Sequence, residues 1–276
     1  MVEEVLMRPV FFLSDFGLED PYVGVVKAVL GQKAPGTKVV DLAHALPPQD
    51  LRRAAYALFE AVPYLPEESV VLAVVDPGVG TGRRAIAAWG KRFYVGPDNG
   101  LFTLAWLLDP PQRAFLLERV APPGPQGIGP LPGWRPGEAT FHGRDRFAPA
   151  AAHLALGLPP EALGPEIPPQ DLVRLSLRLS PGPEGEILTF DRFGNAITTL
   201  LEAPLGGVVA VAGREVPIRR TFGEVGVGEA VAYRGSAGLL EIALNQGNAR
   251  EALGLKEGLP VRLKTKSEAP PETPGR

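Results

Sequence analysis

Two unbroken apolar runs, each leading into an aspartate, constrain the fold of this chain most strongly. Residues 10–13 (VFFL) run into Asp15, and residues 70–75 (VVLAVV) run into Asp76. A strand that is buried on both faces of a parallel sheet has such a continuous apolar sequence. Ligands of open α/β sheets bind beyond the carboxyl ends of the strands. Because Asp98 follows a third run at 93–95, we expect a ligand site along one edge of a sheet.

Strand-like and helix-like patterns alternate around these runs. Strands are predicted at 9–13, 38–42 and 69–75, and helices at 22–30 and 50–62, with Asp50 as the N-cap of the second helix. The βαβαβ order indicates an α/β fold, with a mostly parallel sheet and helices on its faces. Residues 85–96 instead favour a hairpin that turns at Gly90-Lys91. The glycines of 78–82 (GVGTG) therefore do not open a helix, which a phosphate-binding loop requires.

The second half of the chain has a different pattern. Residues 121–138 are rich in proline and glycine and predict a loop or lid, and 148–156 predict a helix. From about Gly185, seven short β-type runs follow one another, mostly with glycine turns between them, as in a small antiparallel sandwich or barrel. We therefore expect an α/β N-terminal domain (1–165), a Pro-rich linker (166–184), a C-terminal β-barrel domain (185–265) and a disordered tail (266–276).

Composition excludes several classes of protein. The net charge of −3 argues against a general nucleic-acid binder, which needs a basic surface. The absence of cysteine excludes disulfides, thiolate catalysis and zinc–sulfur sites. The first residues show no signal-peptide pattern and no apolar stretch is long enough to span a bilayer, so we expect a cytoplasmic protein without membrane association.

The polar residues after Asp76 suggest an ion pair. An aspartate after a strand often only stabilises a turn, and that alternative applies to Asp15 and Asp76 alike. Arg83, however, lies seven positions beyond Asp76, across a glycine-rich loop that can return the guanidinium to the carboxylate. We interpret Arg84, by contrast, as a solvated hairpin arginine.

Of the three histidines, His142 is the best candidate for a site residue. It lies in the dense polar segment TFHGRDRF (140–147), and an imidazole suits a general base or an orienting group. His44 and His153 are expected to be structural. Asn195 is most simply a turn residue, although its amide could instead bind a ligand.

Six segments, taken in order, resemble those of the SAM hydroxide adenosyltransferases. They are SDFG with DPYVG, VVDPGVGTGRR, GPDNG, TFHGRDRFAPAAAHLA, DRFGNAIT and SAGLLEIALNQGNA. These are also called adenosine-forming SAM hydrolases, and they are related to the bacterial fluorinase and chlorinase. The resemblance extends from about Pro9 to Lys264 in the family's order. It implies an α/β domain joined to a small β-barrel domain. It also implies a homotrimer that binds S-adenosyl-L-methionine where one subunit's first domain meets its neighbour's second.

The resemblance also implies roles for individual residues. The catalytic set is Asp76, Arg83 and His142, and Asp15 binds the ribose hydroxyls. The remaining implied substrate contacts are Asp20, Gln49 and Phe141 in the first domain, Asp191, Phe193 and Asn195 around the methionine part, and Phe222, Ser236, Ala237, Leu244 and Gln246 on the neighbouring subunit.

Several positions depart from the fluorinating relatives. Those relatives carry a tyrosine and a threonine where this chain has Asp76 and Val79, and a serine at Gly143, so a hydroxyl-lined halide pocket is not expected. Gln49 replaces a tryptophan, and Thr199 replaces an asparagine.

The implied activity is hydrolysis of S-adenosyl-L-methionine to adenosine and L-methionine, by an activated water at the ribose 5′-carbon, with no metal and no cofactor. Two alternatives stay open. A divalent-metal phosphohydrolase could use the oxygen and nitrogen ligands Asp15, Asp20, Asp76, Asp98 and His142. A non-catalytic nucleoside-binding module could share the same pocket.

Overall fold

The computed structural model describes residues 7–120, 140–179 and 182–264. The loop expected at 121–138 and the tail expected at 266–276 lie outside these described residues. The chain divides into two compact units, Met1–Leu175 and Ser176–Arg276, while the finer domain bounds given above stay predictions. Among the helices of the described residues, none has the length and apolar character needed to cross a membrane.

A mixed seven-stranded sheet forms the first unit. Its strands are β1 (Val10–Ser14), β2 (Val39–Ala43), β3 (Val70–Val74), β4 (Ala85–Trp89), β5 (Phe93–Pro97), β6 (Arg113–Leu116) and β7 (Glu166–Ile167). They lie in the order β2-β1-β3-β5-β4-β6-β7. The first four strands in this order (β2, β1, β3 and β5) are parallel to one another. Strands β4, β6 and β7 extend the sheet beyond β5 through antiparallel pairings. The predicted α/β class and the hairpin after Asp76 are therefore confirmed.

Helices cover both faces of this sheet, which explains the unbroken apolar runs. The helices are α1 (Tyr22–Lys33), α2 (Leu51–Ala61), α3 (Ala105–Leu108) and α4 (Ala148–Ala155). Phe12 of β1 lies in the core cluster that includes α1 and α4, and the next residue, Leu13, lies in the cluster that includes α2 and α3. Asp50 caps α2 by accepting a hydrogen bond from Arg53 N at 2.8 Å, as predicted.

The parallel strands place three aspartates at one edge of the sheet. Strands β1, β3 and β5 are hydrogen-bonded neighbours and run in the same direction. Asp15 follows β1 directly, Asp98 follows β5 directly, and Asp76 comes two residues after β3. The three aspartates that follow separate apolar runs in the sequence therefore lie at the same carboxyl edge of the sheet.

The second unit is an antiparallel, nearly closed barrel. Its elements are β8 (Glu184–Phe190), β9 (Ala196–Thr198), β10 (Val208–Val211), β11 (Arg214–Pro217), β12 (Ala230–Arg234), β13 (Leu240–Leu244), α5 (Ala249–Ala252) and β14 (Pro260–Lys264). The strand order is β11-β10-β14-β8-β9-β13-β12. Ile218, just after β11, forms a parallel bridge with Ala232 of β12, and Arg219 N donates to Ala232 O at 2.8 Å. These bonds join the two outer strands around a core that includes Ile187, Val209 and Ile242.

Candidate active site

The loop after β3 returns Arg83 to Asp76. Its turns are fixed by hydrogen bonds from Val79 N to Asp76 O (3.2 Å) and from Thr81 N to Gly78 O (3.1 Å). Arg83 Nε donates to Asp76 Oδ1 at 2.8 Å, and Arg83 Nη2 donates to Asp76 Oδ2. The two side chains are only 10% and 7% exposed. A largely buried pair with two parallel hydrogen bonds is strong and has a fixed geometry.

His142 joins this pair through Arg83. Its Nδ1 lies 2.7 Å from Arg83 Nη2. Because a guanidinium can only donate hydrogen bonds, Nδ1 must be the acceptor, which leaves the proton of the neutral ring on Nε2. Burial, and then the positive charge of Arg83, lowers the pKa of His142. The imidazole is therefore neutral at pH 7, and its second nitrogen is a hydrogen-bond donor.

A single π-helical turn, Gly143–Phe147, follows His142 directly. Such turns occur frequently at functional sites. At Gly143 an added Cβ would lie 3.1 Å from both Phe16 Cζ and Phe141 Cε2, so there is little room for any side chain there. Tyr22 completes an aromatic cluster in which the ring centroids are 5.2 to 5.9 Å apart. Phe16 and Tyr22 were not recognised from sequence, where no spacing rule links them to Phe141.

Asp15 ties together the loops that follow β1 and β2. Its Oδ2 accepts a hydrogen bond from Gln49 N at 2.7 Å. Gln49 is exposed and has a φ of 63°, in the left-handed region that residues other than glycine seldom adopt. Asp20 is also exposed, just before α1. The structure thus holds the Asp15 carboxylate through one oxygen.

The interpretation of Arg84 as a solvated residue is wrong. Arg84 Nε donates to Asp98 Oδ2 at 2.7 Å, and its Nη2 donates to Asp171 O. Asp98 is buried, and its other oxygen accepts from Val173 N at 2.8 Å. A buried carboxylate needs compensating partners, and Arg84 supplies the charge. That requirement was invisible in the sequence because it depends on the burial of Asp98.

The expected ligands of the phosphohydrolase alternative do not form a metal cluster. Asp76 and Asp98 are each paired with an arginine, which puts a positive charge where a cation would bind. Across the three described ranges, no group of three or more histidine, cysteine, aspartate or glutamate side chains is arranged to hold an ion. His153 contacts Pro159 O at 2.9 Å, in keeping with its structural interpretation.

In the second unit, Asp191 organises the loop between β8 and β9. It accepts hydrogen bonds from Phe193 N (2.9 Å), Asn195 N (2.8 Å) and Asn195 Nδ2 (2.7 Å). Gly194 has a φ of 85°, and a Cβ there would collide with Asn248 Oδ1 at 2.1 Å. The loop is therefore tightly built, and it leaves Phe193 74% exposed.

The other predicted residues of this unit lie on turns, on its surface or, for Leu244, at the end of β13. Phe222 is half exposed, with its ring 6.2 Å from that of Tyr233. The further positions are Ser236 and Ala237 in the turn between β12 and β13, Leu244, whose carbonyl accepts from Gly247 N at 3.0 Å, and Gln246 with a φ of 57°. Thr199 Oγ1 donates to Arg178 O at 2.8 Å and accepts from Glu186 N at 3.0 Å. Thr199 thus has a role within the barrel.

Fold and site together define the class of this protein: an α/β unit with a largely buried Asp–Arg–His cluster at the carboxyl edge of its strands, followed by a β-barrel unit. Residues 10–164 match the SAM hydroxide adenosyltransferase N-terminal domain, and residues 185–262 match the corresponding C-terminal domain. The chain belongs to the SAM hydroxide adenosyltransferase family.

Similar proteins agree with this assignment. An (R)-S-adenosyl-L-methionine hydrolase of Thermus thermophilus is 78% identical over 93% of this chain and 100% of that protein. The (R)-S-adenosyl-L-methionine hydrolase of Salinispora tropica is 43% identical, with coverage of 91% and 96%. A fluorinase of Nocardia brasiliensis is 28% identical, with coverage of 93% and 97%. The crystal structure of a conserved hypothetical protein from Thermus thermophilus superposes with a TM-score of 0.83, at 72% identity, over 94% of this chain and all of that one.

Proposed function

We propose that the chain is an enzyme that hydrolyses S-adenosyl-L-methionine to adenosine and L-methionine. The observation that carries this proposal is the hydrogen-bonded, largely buried Asp76–Arg83–His142 cluster in a chain of this family. Relatives at 78% and 43% identity are each named (R)-S-adenosyl-L-methionine hydrolase, which supports the proposed substrate and reaction type. Those names specify the (R) epimer at the sulfonium sulfur, and we propose this epimer as the substrate here.

The reaction is a substitution at the ribose 5′-carbon. The water oxygen bonds to that carbon while the carbon–sulfur bond breaks, and methionine leaves with the bonding electron pair. One proton is released. Because the leaving group is a neutral thioether, it needs no general acid. Charge on the sulfonium disappears as the hydroxide-like oxygen attacks, so a site that excludes water favours the transition state over the solvated ground state.

Asp76 is the member of the cluster that can take the proton. Arg83 can only donate hydrogen bonds, and its guanidinium occupies Nδ1 of His142. The protonated Nε2 of His142 can donate to the water oxygen and orient it. Each Asp76 oxygen accepts one bond from Arg83 and retains a further lone pair for water. We therefore assign proton acceptance to Asp76, water orientation to His142 and charge support to Arg83.

The substrate contacts implied by the resemblance complete the proposal. Asp15 has one oxygen bonded to Gln49 N, and we assign its other oxygen to the ribose hydroxyls. We assign the methionine part to the 191–195 loop with Ser236 and Ala237, and the adenine to Phe222 with the backbone near Leu244 and Gln246. Asp20 and Phe141 stay proposed contacts of the first unit.

We further propose that the protein works as a cytoplasmic homotrimer with each site shared between neighbouring subunits. In that case Asp76→Ala and Phe222→Ala subunits, each inactive alone, should regain activity when mixed, because some interfaces then combine one intact contribution from each. The measurement is adenosine formation after subunit exchange. A mixture that stays inactive while mass spectrometry demonstrates exchange would contradict the shared site.

The activity should depend on pH through His142. Burial and Arg83 lower the pKa of His142 below its ordinary 6.5, and the mechanism needs the neutral ring. Hence the acid limb of kcat/KM should have its midpoint below 6.5, and activity should not be lost as the pH rises from there through neutrality. His142→Gln, which cannot titrate but can still accept from Arg83, should lose this acid limb. An acid limb centred above 6.5, or one unchanged in the glutamine variant, would contradict the assignment.

The test of the function itself is incubation with a mixture of both sulfonium epimers, with products separated by chromatography. We expect equal amounts of adenosine and methionine, loss of the (R) epimer only, and full activity in excess chelator. A metal phosphohydrolase would be inhibited by the chelator, and a nucleoside-binding module would bind adenosine without turnover. Added chloride or fluoride should yield no halogenated nucleoside, because Asp76 puts negative charge where a halide would bind.

A further inference from the structure

We propose that His44 is a positioning residue that holds the loop of Asp15 in the conformation that binds the ribose hydroxyls. The inference rests on the proposed function, because it takes Asp15 as the ribose contact. Nothing in the sequence pattern links His44 to this loop, which lies about 30 residues earlier in the chain.

A chain of polar contacts runs from the protein surface to the Asp15 loop. Lys27 Nζ donates to Asp41 Oδ2 at 3.0 Å, and Asp41 Oδ1 lies 3.2 Å from His44 Nε2. His44 Nδ1 lies 2.7 Å from Ser14 Oγ, which also accepts from Phe16 N at 3.4 Å. Ser14 is fully buried and His44 nearly so.

The donors of this chain converge on the Asp41 carboxylate, Lys27 from one end and the groups from Phe16 to His44 from the other. A carboxylate can only accept, so the imidazole proton belongs on Nε2, toward Asp41. Nδ1 then accepts from the Ser14 hydroxyl, whose oxygen is left to accept from Phe16 N. Burial lowers the pKa of His44, which keeps the ring neutral at pH 7. His44 Nε2 makes no well-aligned hydrogen bond, so its contact with Asp41 is mainly electrostatic.

These contacts bracket Asp15 on both sides. Ser14 and Phe16 flank it in the chain, and the backbone oxygen of His44 accepts from Gly17 N at 2.8 Å. On the far side, Gln49 N holds Asp15 Oδ2 at 2.7 Å. His44 therefore binds the Asp15 loop through its ring and through its backbone, and the ring contact can be removed by mutation while the backbone contact remains.

The competing interpretation is that His44 merely fills space in the core, where its ring packs edge-on against Phe12 at 4.6 Å. The two interpretations differ in which ligand should be affected. A positioning role through Asp15 acts only on ligands that carry ribose hydroxyls. A packing role acts on every nucleoside equally.

The test compares adenosine with 2′,3′-dideoxyadenosine, by calorimetry on the full-length protein. His44→Leu fills the space without hydrogen bonds, whereas His44→Gln can accept from Ser14 and donate to Asp41. We expect His44→Leu to weaken the affinity for adenosine by about tenfold, as for a lost hydrogen bond in a buried site. The affinity for dideoxyadenosine should stay within about twofold of the parent value. His44→Gln should bind adenosine nearly as the parent does. Ser14→Ala provides the same comparison if the leucine variant fails to fold.

Each outcome decides between the interpretations. Equal losses for both nucleosides, or no loss of adenosine binding in a folded His44→Leu or Ser14→Ala variant, would overturn the positioning role. If the parent protein hydrolyses S-adenosyl-L-methionine but the variants show equal losses, or no loss, of binding for the two nucleosides, only this inference is contradicted. A parent that neither binds adenosine nor consumes S-adenosyl-L-methionine contradicts the proposed function, and the inference with it.

Discussion

Replacement of Asp76 by asparagine should lower kcat/KM for S-adenosyl-L-methionine by about 10³, within the range for loss of a general base. The amide is nearly isosteric, but it cannot take a proton from water. It also turns one acceptor of the Arg83 pair into a donor, which the guanidinium cannot satisfy. The measurement is steady-state formation of adenosine, together with thermal unfolding to show that the variant is folded.

Asp98 offers a matched control for this change. It lies at the same edge of the sheet, is also buried and also pairs with an arginine. Asp98→Asn should reduce stability while leaving kcat within a few-fold of the parent value. The account is contradicted if Asp76→Asn retains more than about a tenth of the activity, or if both variants lose activity alike.

Removal of Arg83 should affect activity and stability together. Arg83→Leu leaves the Asp76 carboxylate, only 7% exposed, without a counter-charge. Breaking one partner of a buried pair costs about 3–5 kcal/mol of unfolding free energy. The same change removes the donor that fixes the tautomer of His142, so we expect no measurable hydrolysis. Urea unfolding and product chromatography on the same preparation measure the two effects.

A double variant separates the two effects. In Asp76→Leu with Arg83→Leu, neither charge remains, so most of the lost stability should return while activity stays absent. Arg83→Lys should be intermediate, because an ammonium keeps the charge without the planar fork. A double variant as unstable as Arg83→Leu alone would show that the instability has another source than the unpaired carboxylate.

Much of the first unit could be predicted because local pattern and tertiary environment agree there. The runs at 10–13 and 70–75 are buried on both faces, so every position is apolar and the strands can be predicted from the sequence. The return of Arg83 to Asp76 was predictable because the glycine-rich loop is short. The closing of the barrel by Ile218 and Ala232 was not, because it pairs segments that no local rule connects.

Other parts of the site depended on burial and distant packing. Arg84 looked solvated until the structure showed the buried Asp98 beside it. The tautomer of His142 follows from Arg83, 59 residues away. Asn195, by contrast, acts within its own turn as its simplest interpretation predicts, because its side-chain nitrogen donates to Asp191. The contacts of Arg84 and His142 join residues that are far apart in the chain, so they could not be predicted from local sequence pattern.

The central claim is that water attacks the ribose 5′-carbon, and oxygen-18 water tests it most directly. Hydrolysis in labelled water, followed by mass spectrometry of both products, should place one oxygen-18 in adenosine and none in methionine. Adenosine without the label would contradict the claim. So would 5′-methylthioadenosine with labelled homoserine, which results when water attacks the amino-acid chain instead.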